Sequence, residues 1–92
     1  MPRIDLKIVL GKTIRKKRAA VGFSQEGFAE AVGVHRTYLG GIERGERNVS
    51  LHNLQRISAA LDISLSALIQ AAEQALGTQA AGRKGAPPPP SR

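Results

Sequence analysis

Three glycines, at positions 22, 33 and 45, end successive short segments of the chain that each carry a helical apolar pattern. Glycine adopts the left-handed backbone conformation that closes a helix at little steric cost, so each glycine predicts a helix end. Only Val34 and His35 separate Gly33 from the next helical pattern. A glycine-centred link of this length between two short helices predicts a helix-turn-helix.

Apolar residues at helical spacing predict five helices, and no stretch has the alternation of a strand. Ser24, Ser50 and Ser64 stand where the second, fourth and fifth helices begin, and serine is a favoured N-cap. Helices this short are unstable alone, so they must share one core. The predicted core consists of Leu10, Ile14, Phe23, Phe28, Ala29, Val32, Leu39, Ile42, Leu54, Ile57, Leu61, Leu65 and Leu68.

The composition changes along the chain predict one domain with two tails. Residues 1–6 have no clear period and form a lead-in, and residues 7–77 contain the five helices. Residues 78–92 are rich in Ala, Gly and Pro and end near the run Pro87–Pro90. That tail has too little apolar surface to repay the entropy of ordering, so it is predicted to be disordered.

The charge balance favours an anionic partner, because 14 basic residues stand against 7 acidic ones for a net charge of +7. Only three aromatic residues are present, which argues against binding single strands by base stacking. The chain has no cysteine, and His35 and His52 lack metal-ligand spacing, so neither a metal site nor a catalytic site is expected. No apolar run approaches a membrane span, and no signal peptide is recognisable.

A helical wheel of the third predicted helix, residues 36–44, separates two faces. The inward side carries Tyr38, Leu39, Ile42 and Glu43. The other side is thin and basic, and consists of Arg36, Thr37, Gly40, Gly41 and Arg44. A face of this kind can approach a polyanion closely, which predicts that this helix enters a groove of duplex DNA.

The segment from Leu10 to Ile69 carries several short motifs in the order and at the spacing of a known family, and it resembles the lambda-repressor/Cro-type (XRE) helix-turn-helix family. The motifs are Gly22–Glu26 (GFSQE), Gly33-Val34, Arg36–Tyr38 (RTY) and Ile42–Gly45 (IERG), and the set is similar to restriction–modification controller proteins. The resemblance implies an all-α, five-helix, lambda-repressor-like domain. It also implies a cytoplasmic, nucleoid-associated transcriptional regulator of a bacterium or phage, with no cofactor and no small-molecule ligand.

The resemblance assigns roles to particular residues. Those matching base-facing positions of the recognition helix are Arg36, Thr37 and Gly41; those matching phosphate contacts are Gln25, Tyr38 and Arg44. Arg18 and Glu43 match an ion pair that ties the first helix to the third. Gly40 and Gly41 have no side chain to read a base. We interpret them as positions that let the helix lie deep in the DNA groove or at an unusual tilt. The position of Asn48 in the following loop adds a candidate phosphate contact.

Apolar residues beyond the needs of the core predict a homodimer interface on the fifth helix and the loop before it. These residues are Ile63, Leu65, Ile69, Ala72 and Leu76. Two-fold pairing would double the contacts of one short recognition helix on half-sites one helical turn apart. Two alternatives stay open: a non-specific, nucleoid-type DNA binder, and an antitoxin-type protein-interaction module whose DNA binding is secondary.

Overall fold

The computed structural model describes residues 5–81, and this part of the chain contains five helices and no strand. The helices are α1 (Leu6–Val21), α2 (Gln25–Val32), α3 (Arg36–Glu43), α4 (Leu51–Ala60) and α5 (Leu65–Ala81). Helix α1 packs against α3 and α5, and α4 packs against α2 and α5. The predicted all-α fold is confirmed, with the helix-turn-helix at α2 and α3.

Both ends of α2 are set by the residues that the sequence indicated, and His35 caps the start of α3. The Oγ of Ser24 accepts a hydrogen bond from the N–H of Gly27 at 2.9 Å, which caps α2. Gly33 ends that helix with φ +89°, a backbone conformation that side-chain-bearing residues rarely adopt. At the start of α3, the Nδ1 of His35 accepts from the N–H of Thr37 at 3.2 Å. The turn is therefore fixed from both sides.

The core is built mainly from the predicted residues. Ile14, Phe28, Leu39, Ile57 and Leu68 are fully buried. Phe23 and Leu65 are only half-buried and pack against the edge of the core. Val9 and Ala72 were not predicted as core residues, but both are buried in it. Ala72 lies where α5 meets the rest of the core, so this alanine of the predicted dimer surface is used inside the monomer.

A close approach of α1 to α3 depends on one glycine. A Cβ added to Gly11 would overlap the carbonyl oxygen of Ile42 and would lie 2.9 Å from that of Glu43. Both are backbone atoms, so they cannot rotate away as a side chain could. Gly11 therefore lets α1 pack directly against the C-terminal end of α3, which helps to fix the position of the recognition helix.

Three helix boundaries differ from the prediction. Helix α3 ends at Glu43 rather than Arg44, which is its C-cap. Helix α1 begins at Leu6 rather than Lys7, because the side chain of Asp5 accepts from the N–H of Lys7 as an N-cap. Helix α5 does not end at Gly77 but continues to Ala81. Residues 78–81 of the predicted disordered tail (78–92) are therefore helical. Residues 1–4 of the predicted lead-in (1–6) and residues 82–92 of that tail lie outside the described residues. No helix in the described part is long and apolar enough to cross a membrane.

Candidate nucleic-acid interface

The recognition helix α3 is open to solvent only at its first turn. Arg36 and Thr37 are exposed, Tyr38 is half-buried, and residues 39–43 are all buried. Leu39 and Ile42 are 0% and 1% exposed and hold the back of the helix in the core. Any direct reading of bases by α3 side chains must therefore come from its N-terminal end, where two of the three predicted base-facing residues lie.

The wheel prediction of an open glycine face is wrong, because Gly40 and Gly41 are buried under arginine side chains. An added Cβ on Gly40 would lie 3.0 Å from Nη1 of Arg44 and 3.6 Å from the amide of Gln25. The side chain of Arg44 thus folds back across the helix, and its Nε pairs with Oε2 of Glu46 at 3.1 Å. The wheel placed Arg44 on the same face as the two glycines, but a wheel gives only the direction of each residue and cannot show that a side chain folds back over its neighbour.

Arg47 covers the second glycine and was not singled out from the sequence. A Cβ on Gly41 would lie 2.8 Å from Cγ and 3.0 Å from Cδ of this arginine, which belongs to the loop after α3. The bare backbone at Gly41 is therefore a seat for the aliphatic part of Arg47. A contact with DNA at the predicted Gly41 position would have to come from the arginine that covers it. The only sequence signal for this was a side-chain-free helix position followed by a basic loop.

The predicted pair of Arg18 and Glu43 is brought together and includes a third member. Arg18 donates from Nε to Oε2 of Glu43 at 2.6 Å and from Nη2 to Oε1 at 3.1 Å. Its Nη1 also donates to the carbonyl oxygen of Phe23 at 2.8 Å. Gln25 donates from Nε2 to Oε1 of Glu43 at 3.1 Å. One carboxylate thereby connects α1, the start of α2 and the end of α3.

Two residues of α4 that the sequence analysis did not select contact the helix-turn-helix. Asn53 donates from Nδ2 to the hydroxyl oxygen of Tyr38 at 3.2 Å. Arg56 donates to the carbonyl oxygen of Gly33, in the turn between α2 and α3, at 3.1 Å. Neither residue belongs to any of the sequence motifs, so no sequence signal pointed to these contacts.

The site has the geometry of a helix-turn-helix whose second helix presents basic residues at its open end. The family model for helix-turn-helix proteins, HTH_3, matches residues 14–68. The chain belongs to the HTH_3 (XRE-type) helix-turn-helix family. This membership confirms the family suggested by the motifs, together with its lambda-repressor-like fold.

Controller proteins of restriction–modification systems are among the relatives of this helix-turn-helix protein. It is 45% identical to the control protein C.MunI of Mycoplasma sp over 71 residues, which are 76% of this chain and 96% of that protein. The controller C.AhdI from Aeromonas hydrophila is 46% identical, with a TM-score of 0.65 over 66% of this chain and 92% of its own. The controller C.Esp1396I, solved as a tetramer with its natural 35 base-pair operator, is 28% identical, with a TM-score of 0.73 over 80% and 97% of the two chains.

The remaining predicted residues of this family member are distributed over two surfaces. Asn48 is exposed in the loop between α3 and α4, on the same loop as Arg47. Most members of the predicted dimer surface are half-buried and retain some accessible area, namely Ile63, Leu65, Ile69 and Leu76. Ala72 is 0% exposed within the monomer and has no area to add to an interface. No cluster of three metal-ligating side chains occurs among the residues that the structure describes.

Proposed function

We propose that this chain is a sequence-specific transcriptional regulator of the controller type, which binds operator half-sites through the N-terminal turn of α3. The observation that supports this most is the exposure of Arg36 and Thr37 on a helix whose other side is buried. The backbone of a helix held by the core is already ordered before binding, so presenting these side chains to a groove costs little backbone entropy, which favours binding. As a DNA-binding regulator, the protein would be found on the nucleoid.

Arg36 is the principal base-reading residue in this proposal. A guanidinium can bond bidentately to O6 and N7 of guanine in the major groove, which gives about 1–3 kcal/mol of discrimination against another base. Thr37 adds a methyl group that can contact a thymine methyl and a hydroxyl that can reach a phosphate. Both residues lie at the N-terminal end of the helix dipole, which favours negatively charged groups.

The phosphate contacts surround this reading turn. Gln25 uses one amide hydrogen for Glu43, and the second hydrogen of that NH₂ group is available for a phosphate oxygen. Arg44 and Arg47 lie across the glycines of α3, and Asn48 is exposed in the same loop. Such contacts fix the register of a protein on DNA without reading its sequence.

A homodimer would place two copies of α3 on an inverted repeat, because a two-fold axis relates the subunits and their half-sites. The four half-buried apolar residues of α5 and its preceding loop are the proposed contact surface. The relative C.Esp1396I binds its operator as a tetramer. For the present chain we propose the dimer as the smallest unit that reads two half-sites.

A competition experiment tests the proposal against its alternatives. The protein is bound to a labelled duplex selected from a random pool and competed with a scrambled duplex of the same composition. A regulator should prefer the selected duplex by a factor of about 10³ or more. Binding that depends only on salt and duplex length would instead show a nucleoid-type protein. Failure to bind either duplex would favour the antitoxin-type interaction module.

A further inference from the structure

A chain of hydrogen bonds runs from the turn of the helix-turn-helix, through α4, to the recognition helix. Arg56 donates from Nη2 to the carbonyl oxygen of Gly33 at 3.1 Å and from Nη1 to Oδ1 of Asn53 at 3.4 Å. Asn53 donates from Nδ2 to the hydroxyl oxygen of Tyr38 at 3.2 Å. The Arg56–Asn53 and Asn53–Tyr38 bonds are partly buried, so they are partly shielded from competing water, whereas the bond from Arg56 to Gly33 is exposed.

The chemistry of the end group fixes the direction of every bond in this chain. A guanidinium has only donors, so the atom of Asn53 that faces Arg56 must be the oxygen. The NH₂ group of the same amide must then face Tyr38, and the phenol oxygen must accept. Because that oxygen accepts from Asn53, the single hydroxyl hydrogen of Tyr38 points elsewhere and is free to donate.

The absence of a side chain at Gly33 in the turn leaves space for the guanidinium of Arg56, where this series of hydrogen bonds begins. A Cβ at Gly33 would collide with the guanidinium of Arg56, so a side chain there would displace the arginine even if the positive φ were tolerated. Arg56 is therefore seated on the turn that precedes α3. The positive charge of Arg56 polarises the hydrogen bonds one after another, and this strengthens the hydroxyl of Tyr38 as a donor at the other end of the series.

We propose that Asn53 and Arg56 are positioning residues that make the hydroxyl of Tyr38 a dedicated donor to a phosphate oxygen of the DNA backbone. A phosphate oxygen accepts only, so it complements a hydroxyl whose oxygen already accepts from Asn53 and whose hydrogen is left to donate. The inference rests on the proposed function, since it concerns how the same protein surface binds DNA. It adds two residues of α4 that touch no DNA themselves.

Replacing Asn53 by Asp tests the direction of the bond. A carboxylate still pairs with Arg56, but its second oxygen accepts from Tyr38 and turns the hydroxyl hydrogen inward. The matched control is Gln55→Glu, which makes the same amide-to-acid change at an exposed position of the same helix. With the selected duplex, Asn53→Asp should bind about tenfold more weakly than Gln55→Glu, because a hydrogen bond to a charged group is lost.

The same two variants in a Tyr38→Phe background separate positioning from a general effect of Asn53. Without the hydroxyl, Asn53→Asp and Gln55→Glu should bind alike, within about twofold. A tenfold difference that persists in that background would show that Asn53 acts without Tyr38 and would overturn the inference. So would equal binding of the two variants when Tyr38 is present. Tyr38→Phe alone should weaken selected and scrambled duplexes by the same factor; a loss confined to the selected duplex would refute the phosphate assignment.

A measurement on the free protein keeps this inference distinguishable from the proposed function. Tyr38 is the only tyrosine and the chain has no tryptophan, so tyrosine emission reports this phenol alone. A phenol that donates to a carboxylate is quenched, so Asn53→Asp should be dimmer than Gln55→Glu; equal emission would show that the hydroxyl had not turned and would overturn the inference. If the wild type instead showed no preference for the selected duplex, the proposed function would fail, whatever the emission.

Discussion

Arg18 forms an ion pair with the carboxylate of Glu43, with the Nε of Arg18 2.6 Å from the Oε2 of Glu43. The Glu43 side chain is only 3% exposed and that of Arg18 12%. A carboxylate this deep needs a partner, because burying an unpaired charge is costly. The pair therefore holds α3 against α1, and its loss should lower the free energy of unfolding.

Replacing Glu43 by Gln should lower the free energy of unfolding by about 3 kcal/mol, because it leaves the partly buried guanidinium of Arg18 without its charge partner. Urea denaturation followed by circular dichroism measures the change. The control is Glu46→Gln, since Glu46 pairs with Arg44 at a site where both side chains are about 60% exposed. That exposed pair should contribute less than about 1 kcal/mol. Equal effects of the two substitutions would contradict the assignment of a buried pair.

Adding one methyl group at Gly11 should destabilise the protein, because the new Cβ meets the backbone of α3 rather than a movable side chain. Overpacking of this kind costs about 1–3 kcal/mol. Gly77→Ala is the matched control, since that glycine lies in α5 with nothing within 4 Å of an added Cβ. It should gain up to about 1 kcal/mol from helix propensity. Thermal unfolding should therefore shift in opposite directions for the two variants.

Gly41→Ala should separate stability from DNA binding. Helix propensity favours alanine by up to about 1 kcal/mol, but the new methyl group displaces the stem of Arg47 from its seat. We expect unchanged or higher stability and about tenfold weaker DNA binding, the size of one lost arginine contact. In an Arg47→Ala background the substitution should no longer reduce affinity. A reduction that persisted there would mean that Gly41 itself approaches the DNA.

Leu76→Glu should shift the protein from dimer to monomer in sedimentation experiments, because a charge would enter the proposed apolar interface on α5. Binding to an operator with two half-sites should weaken with it, while binding to a single half-site should not. Val21→Glu is the control, since Val21 is 57% exposed at the end of α1 and lies outside the proposed interface. A dimer that survives Leu76→Glu would place the interface elsewhere.

Much of the fold could be predicted because its helix ends depend on local chemistry. Gly22, Gly33, Ser24 and Ser50 act through their own backbone conformation or their own side chain, so a single sequence is enough to recognise them. Gly77 is the exception: it lies within α5, because the cost of a helical glycine is only about 1 kcal/mol and alanine-rich neighbours offset it.

The less predictable part of the site depends on residues that meet only in three dimensions. The wheel placed Gly40, Gly41 and Arg44 on one open face, but it could not show that the Arg44 side chain folds back over Gly40. Arg47, from the loop after the helix, covers Gly41 and was not on the wheel. Ala72 belongs to an apolar stripe whose members look alike in sequence, although only the packing of α5 on the rest of the core determines which one is buried. Asn53 and Arg56 have no motif at all, since their partners Tyr38 and Gly33 lie on other elements.

Parallel selection of bound duplexes from one random pool, by the wild type and by Arg36→Ala, tests the central claim most directly. The wild type should select an inverted repeat whose half-sites lie about 10 base pairs apart or a multiple of that distance. Arg36→Ala should select the same repeat with the preference lost at one symmetric base pair in each half-site. An unchanged motif bound uniformly more weakly by Arg36→Ala would contradict base reading by Arg36, and no enriched motif from the wild type would contradict the account as a whole.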